Sequence, residues 1–312
     1  MKDKLVTLFG GGGFIGRYTA QALLRAGARV RIAQRDPRAA WYLKPLGGLG
    51  QTQFVASDLR HADSVARAVA GADAVVNLVG ILKGDFNGVH AEGAAHVAKA
   101  ARAAGADALV HVSALGANAT TASRYGRSKA EGETRVRAAF PEATILRPST
   151  VFGREDGLTN RIAGLIRMLP VVPVIAGSTR LQPVFAVDVA DAIVASLSTG
   201  STAGQTLALG GPEVVDMQAL YTHIASWIDR GPALITVPDG LASLATRLGG
   251  WVPGAPMTHD QWLMLQQNYV VGAEADGLSL LGITPTPMAA VAPDWLVQYR
   301  RRGRFALTKT PA

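Results

Sequence analysis

The run Leu5-Val6-Thr7-Leu8-Phe9, followed at once by Gly10-Gly11-Gly12-Gly13-Phe14-Ile15-Gly16, constrains this chain more than any other stretch. Five apolar or β-branched residues read as a buried strand, and the Ala- and Leu-rich residues after Gly16 read as a helix. Two glycine registers coexist, Gly10-x-x-Gly13-x-x-Gly16 and Gly11-x-Gly13-x-x-Gly16. A strand that turns this sharply into a helix needs a residue free to take positive φ. It also needs a backbone with no Cβ in a ligand's way, and a last glycine that lets helix and strand pack closely. The helix N-terminus at Phe14 and Ile15 then presents free N–H groups and a positive dipole end, which suit a pyrophosphate.

A glycine loop carries this meaning only inside a βαβ unit. The residues that follow predict one. Strands are expected at Leu5–Phe9, Arg29–Ala33, Gln53–Ala56, Ala74–Leu78, Ala108–Ser113 and Thr144–Leu146, and helices at Phe14–Ala26, Ala62–Ala70, Glu92–Ala104 and Tyr125–Ala139. Units of roughly thirty residues suit right-handed parallel crossovers. The expected fold is α/β, a doubly wound parallel Rossmann sheet over residues 1–152, with a return segment near 180–210. After Pro148 prolines recur, and the rhythm changes to short helices and isolated strands. Residues 153–179 and 211–312 are expected to form a smaller, mainly helical C-terminal cap that meets a substrate or partner, with helices near 216–229, 239–248, 258–270 and 287–301.

The second strand bears on the choice of dinucleotide. An NAD site places an acidic residue at its end, about 20 residues past the loop, for the ribose 2′-hydroxyl. Here the strand ends Ala33-Gln34-Arg35-Asp36-Pro37, and Arg17 directly follows the last loop glycine. Two guanidiniums suit a 2′-phosphate, so NADP(H) is the expected cofactor. Asp36, one residue later, keeps NAD(H) open.

Tyr125-Gly126-Arg127-Ser128-Lys129 places a phenol and an amine at i and i+4, on one face of a helix. A neighbouring ammonium lowers a phenol pKa, so the tyrosine can exchange a proton with a carbinol or carbonyl. Other chemistry finds no anchor. There are no cysteines, His90, His96 and His111 lack metal-ligand spacing, and Gly-x-Ser-x-Gly does not occur. A net charge of +8 comes with no nucleic-acid-binding pattern, so neither metal nor nucleic acid is expected.

With those residues in hand, the chain resembles the extended short-chain dehydrogenase/reductases of the NAD-dependent epimerase/dehydratase superfamily. Ser57-Asp58-Leu59-Arg60 looks like the turn whose Asp contacts adenine. Asn77-Leu78-Val79-Gly80 matches the segment that ends the fourth strand beside the cofactor, and Leu146-Arg147-Pro148-Ser149-Thr150-Val151-Phe152-Gly153 matches the one that passes the nicotinamide. Active members carry a serine after the fifth strand. Here His111-Val112-Ser113-Ala114-Leu115-Gly116 puts that position on Ala114 or Leu115, with Ser113 its neighbour. The resemblance therefore implies cofactor contacts from Gly10, Gly13, Phe14, Ile15, Gly16, Arg17, Arg35, Asp58, Leu59, Leu78, Val79, Gly80, Tyr125, Lys129, Pro148 and Val151. If there is turnover, Tyr125, Lys129 and Ser113 carry it.

Within that group, Pro148–Gly157, Gln182–Ala190, Leu281–Thr286 and Tyr299–Phe305 are similar to the nucleotide-binding alpha-subcomplex accessory subunit of respiratory complex I and its bacterial relatives. That resemblance implies a tightly held NADPH, complex I subunits as partners and a structural or assembly role. A reductase or epimerase acting on a small hydrophobic or isoprenoid-like substrate is the alternative, and an NADPH redox sensor a third. Only Leu5–Phe9 separates Lys4 from the glycines, too short for a signal-peptide core, and the longest apolar stretch, Ile162–Gly177, holds Arg167, Pro170 and Pro173. The expected location is cytoplasmic, with peripheral contact on the inner face of the membrane through the basic end at Arg300–Arg304.

Overall fold

The computed structural model describes residues 1–249, 257–272, 276–301 and 303. Arg302 and Arg304 of the basic end lie outside the described residues. Strands β1 (Leu5–Phe9), β2 (Arg29–Gln34), β3 (Thr52–Ala56), β4 (Ala74–Asn77), β5 (Ala108–Val112) and β6 (Thr144–Pro148) follow one another along the first half. Four short strands come next, β7 (Val151–Phe152), β8 (Val171–Ile175), β9 (Arg180–Leu181) and β10 (Val184–Phe185). After them come β11 (Thr206–Leu209), β12 (Val215–Asp216) and β13 (Ala233–Val237). The helices in chain order are α1 (Phe14–Arg25), α2 (Ala62–Val69), α3 (Gly93–Ala103), α4 (Arg124–Ala139), α5 (Gly157–Met168) and α6 (Ala186–Thr199). They continue with α7 (Met217–Trp227), α8 (Asp239–Gly249), α9 (His259–Met264), α10 (Gly277–Leu280) and α11 (Met288–Leu296).

The chain divides into two compact units. The first holds Met1–Ser149, Ala186–Gly210 and Val271–Thr284. Its seven-stranded sheet runs β11-β6-β5-β4-β1-β2-β3, every pairing parallel. Central strands of such a sheet are covered on both faces and so read as unbroken apolar runs. In β1, Val6, Leu8 and Phe9 have no exposed surface. On one face Phe9, Val75 and Leu109 pack against Val65 and Val69 of α2, Val97 and Ala98 of α3, and Val136 of α4. On the other, α1 and α6 lie against each other. Strand order reverses between β1 and β4. Ligands of such sheets sit in the crevice outside the strand C-termini at that point.

Residues 271–284 belong with this sheet, although the sequence reading assigned them to the cap. Asp276 bridges Ala208 of β11, Leu278 is fully buried, and a Cβ on Gly277 would lie 2.8 Å from Leu207 Cβ. A four-residue helix has no periodicity to betray the face it buries.

The second unit holds Thr150–Phe185, Gly211–Val270 and Pro285–Ala312. Beside its helices, its described residues form three two-stranded pairings, β10 with β7, β12 with β9 and β13 with β8, which the sequence alone does not resolve. Pro173 sits inside β8; β7, β9, β10 and β12 span two residues each; and Ala-Leu-Ile-Thr-Val of β13 does not alternate, so a period of two cannot be read there. The helix expected over 258–270 stops at Met264, because Asn268 and Tyr269 turn to pair with Arg180 and Leu181. Phe152, Phe185 and Trp295 stack in sequence through this unit's core.

Candidate functional site

The glycine turn is held by its own backbone. Gly10 has φ +79°, donates its N–H to Ala33 O (3.1 Å) and accepts from Gly13 N–H (2.9 Å). Gly13 caps α1 with no side chain, and no acidic residue occupies the helix's first turn. The N–H groups of Phe14, Ile15 and Gly16 thus open the helix without an intrahelical acceptor. Gly16 presses on the Gly10 and Gly11 carbonyls, where a Cβ would stand 2.6 Å from Gly11 O. Gly12 N–H donates to Gln34 Oε1 (3.0 Å), while the Tyr42 hydroxyl donates to Gly12 O (3.1 Å). The Arg17 guanidinium lies 4.8 Å over the Tyr42 ring.

Past the strand ends lies a cavity of about 440 Å³. Of the residues singled out from sequence, Gly10, Arg35, Asp58, Leu59, Val79 and Gly80 line it. Lys83 and Asp85 complete its wall after β4. Asp36 does not reach the cavity. Its carboxylate accepts the Arg38 N–H (3.0 Å) and caps a 3-10 stretch over Pro37–Leu46, which the sequence reading left without an element. Arg60 grips Asp58 through Nε (3.0 and 3.2 Å) and Nη2 (2.5 Å), and this hydrogen-bonded cation holds the Asp58 carboxyl down at about 2. Gly13, Phe14, Ile15, Gly16, Arg17, Leu78, Tyr125, Lys129 and Pro148 belong to the same unit without lining this cavity, and Val151 starts β7 in the second unit.

Ser123 caps α4, accepting the Gly126 N–H at 3.3 Å, so the helix begins one residue before Tyr125. Lys129 is only 3% exposed and donates from Nζ to Val112 O (2.8 Å) at the end of β5. Burial brings its amine down to about 8, against the opposing pull of Glu133. Ser113 is buried. Its N–H donates to Leu146 O (2.7 Å), and its hydroxyl has no hydrogen-bond partner among the described residues. Beside it Asn77 Nδ2 donates to His111 Nδ1 (3.2 Å), and the buried His111 Nε2 has no hydrogen-bond partner among the described residues. Complete burial, with Lys129 nearby, holds His111 well below the usual imidazole value.

One residue here escaped sequence reasoning. His90 is 1% exposed and ends up between the Val79–Ile81 wall of the cavity and α4. It sits in a π-helical turn, Asn87–Glu92, a distortion that recurs at functional sites. Its partners lie 9 and 38 residues away, Ile81 and Ser128, so no local pattern announced it.

The profile of the NAD dependent epimerase/dehydratase family matches residues 6–210. The chain belongs to this family. Among its relatives is NADH dehydrogenase (ubiquinone) 1 alpha subcomplex subunit 9, mitochondrial, of Mus musculus, 35% identical over 95% of this chain and 80% of that protein. Ceramide reductase of Caulobacter vibrioides is 32% identical over 79% of this chain and 78% of its own length. The crystal structure of Citrobacter sp. triphenylmethane reductase complexed with NADP(H) shares the fold, with a TM-score of 0.75 at 16% identity, covering 93% of this chain and 99% of that one.

Proposed function

We propose that this chain binds NADP(H) at the strand ends of its first unit and serves as an accessory subunit of a complex I-type NADH:ubiquinone oxidoreductase. The observation that carries the reading is the reach of the likeness to the mitochondrial subunit: 95% of the chain, second unit included. The second unit is then the partner-docking domain, and the location is the cytoplasmic face of the inner membrane. No helix among the described residues is long and apolar enough to cross a membrane.

The first unit fits a dinucleotide. Gly16 lets α1 start hard against the Gly10 and Gly11 carbonyls, Gly10 takes the positive φ of the turn, and the first turn of α1 offers N–H groups with no competing acid. Gly10, Gly13, Phe14, Ile15 and Gly16 would hold the pyrophosphate, and Asp58 and Leu59 the adenine side. Arg35 on the cavity wall, with Asp36 committed to its cap, supports the 2′-phosphorylated form over NAD(H). Leu78, Val79, Gly80, Pro148 and Val151 are assigned to the nicotinamide side by the family pattern. Bound ligand stabilises the folded state alone, which suits a structural role. So does the hydrophobic or small residue, Ala114 or Leu115, at the family's serine position.

A second reading, a reductase of a small hydrophobic substrate, is favoured by the retained Tyr125 and Lys129 and by the relative named ceramide reductase. When bound, the nicotinamide supplies a two-electron reductant. The chain's own part would be to exclude water, hold the substrate oxygen near Ser113 and deliver a proton from Tyr125, with Lys129 one helical turn further along α4.

Native electrophoresis of mildly solubilised membranes separates the two. Co-migration of the chain with NADH dehydrogenase activity is the expected result, and a purely free species would overturn the subunit reading.

A further inference from the structure

The hydrogen atoms around His90 have only one consistent arrangement. The Ile81 N–H is a donor, so His90 Nε2, 2.9 Å away, accepts. The Ser128 hydroxyl donates its one hydrogen to Tyr125 O (2.8 Å), so toward His90 Nδ1, also 2.8 Å away, it accepts. His90 is therefore neutral with its proton on Nδ1. A second proton would face the Ile81 N–H. Burial, with Lys129 nearby, brings the ring down to about 3, in keeping with that geometry. The imidazole also stacks on Phe86 (5.6 Å) and meets the Tyr125 ring edge-on at 5.3 Å. Helix α4 seats directly on this turn, since a Cβ on Gly132 would collide with His90 O.

Three segments thus meet at one side chain. Val79–Ile81 forms part of the cavity wall, the π-helical turn leads into α3, and the first turns of α4 carry Tyr125 and Lys129. We propose that His90 is a positioning residue that couples the dinucleotide cavity to the tyrosine helix. A ligand resting on Val79–Ile81 sets the place of the Tyr125 ring through the Ile81 N–H, the imidazole, the Ser128 hydroxyl and the Tyr125 carbonyl. This rests on the reading that the cavity holds NADP(H).

The experiment titrates the Tyr125 phenol in the full chain by ultraviolet difference absorbance, with Tyr125→Phe subtracted, in the presence and absence of NADPH. Affinity for NADPH is measured in parallel by calorimetry. In the wild type, NADPH is expected to shift the Tyr125 titration. Ser128→Ala and His90→Phe should bind NADPH at near wild-type affinity and lose the shift. His90→Gln, whose amide offers one acceptor and one donor, should restore it. A merely structural histidine would not produce that pattern, because loss of fold would take binding away with the shift. Wild-type protein that binds neither NADPH nor NADH rejects the cofactor reading itself. NADPH binding that leaves the wild-type titration unmoved, or a full shift in Ser128→Ala, rejects the coupling alone. Should His90→Phe fail to fold, Ser128→Ala decides, because it breaks the same relay at a partly buried hydroxyl.

Discussion

At Lys129 a buried amine rests on one carbonyl, and that placement has a pH signature. Its folded value, about 8, lies below the ordinary 10.5. Between those values the unfolded chain binds a proton that the folded chain has released, so stability should rise as pH climbs from about 8 to 10.5. Urea unfolding across that window checks it, and Lys129→Met should flatten the rise. His90 acts at the other end of the scale. With its folded value about 3 against 6.5, stability should fall as pH drops from 6.5 toward 3, and His90→Gln should soften that loss in acid melts. Arg35 answers a different question. Arg35→Glu should weaken NADPH by about 1.5–3 kcal/mol, the range of a charge-assisted hydrogen bond, and leave NADH nearly unchanged by calorimetry. Equal losses for both would remove the 2′-phosphate from Arg35.

Among the elements, the glycine turn and the helix after it stand where the sequence put them, with α1 starting at Phe14. The reason is local, since chirality, the missing Cβ and apolar periodicity all act within a few residues. Gly16→Ala would drive a methyl onto two carbonyls and should cost about 1–3 kcal/mol, as overpacking does, read as a lower urea midpoint. Gly164 in α5 has open space around its Cβ position. There the same change should be neutral or stabilise by about 0.5–1 kcal/mol, the helix preference of Ala over Gly. Elements without a local signature were not legible. The 3-10 stretch Pro37–Leu46 carries Pro45 inside it, and the π-helical turn packs its His90 carbonyl under Gly132 of α4, forty-two residues on.

For the molecule as a whole, ligand binding and unit organisation are the testable quantities. NADPH at 100 times its Kd should stabilise the folded chain by about 2.7 kcal/mol, seen by calorimetry as a higher melting temperature that falls back when the nucleotide is dialysed away. Tyr125→Phe should keep that stabilisation and abolish any reductase turnover.

The sequence by itself determined the parallel Rossmann sheet, the glycine turn and the pairing of Tyr125 with Lys129 on one helix face. Each follows from residues close together in the chain, through steric freedom, periodicity and helical spacing. Only the tertiary structure decided that Asp36 caps a 3-10 stretch while Arg35 faces the cavity, and that Lys129 is drawn onto Val112 O. It likewise returned 271–284 to the first sheet and brought Ile81, His90 and Ser128 into one hydrogen-bonded line. The partners in most of these contacts are far apart in the chain, and even the Asp36 cap exists only because the Pro37–Leu46 stretch folds behind it. Burial then fixed which partners the Lys129 amine, the His90 imidazole and the Ser128 hydroxyl can reach.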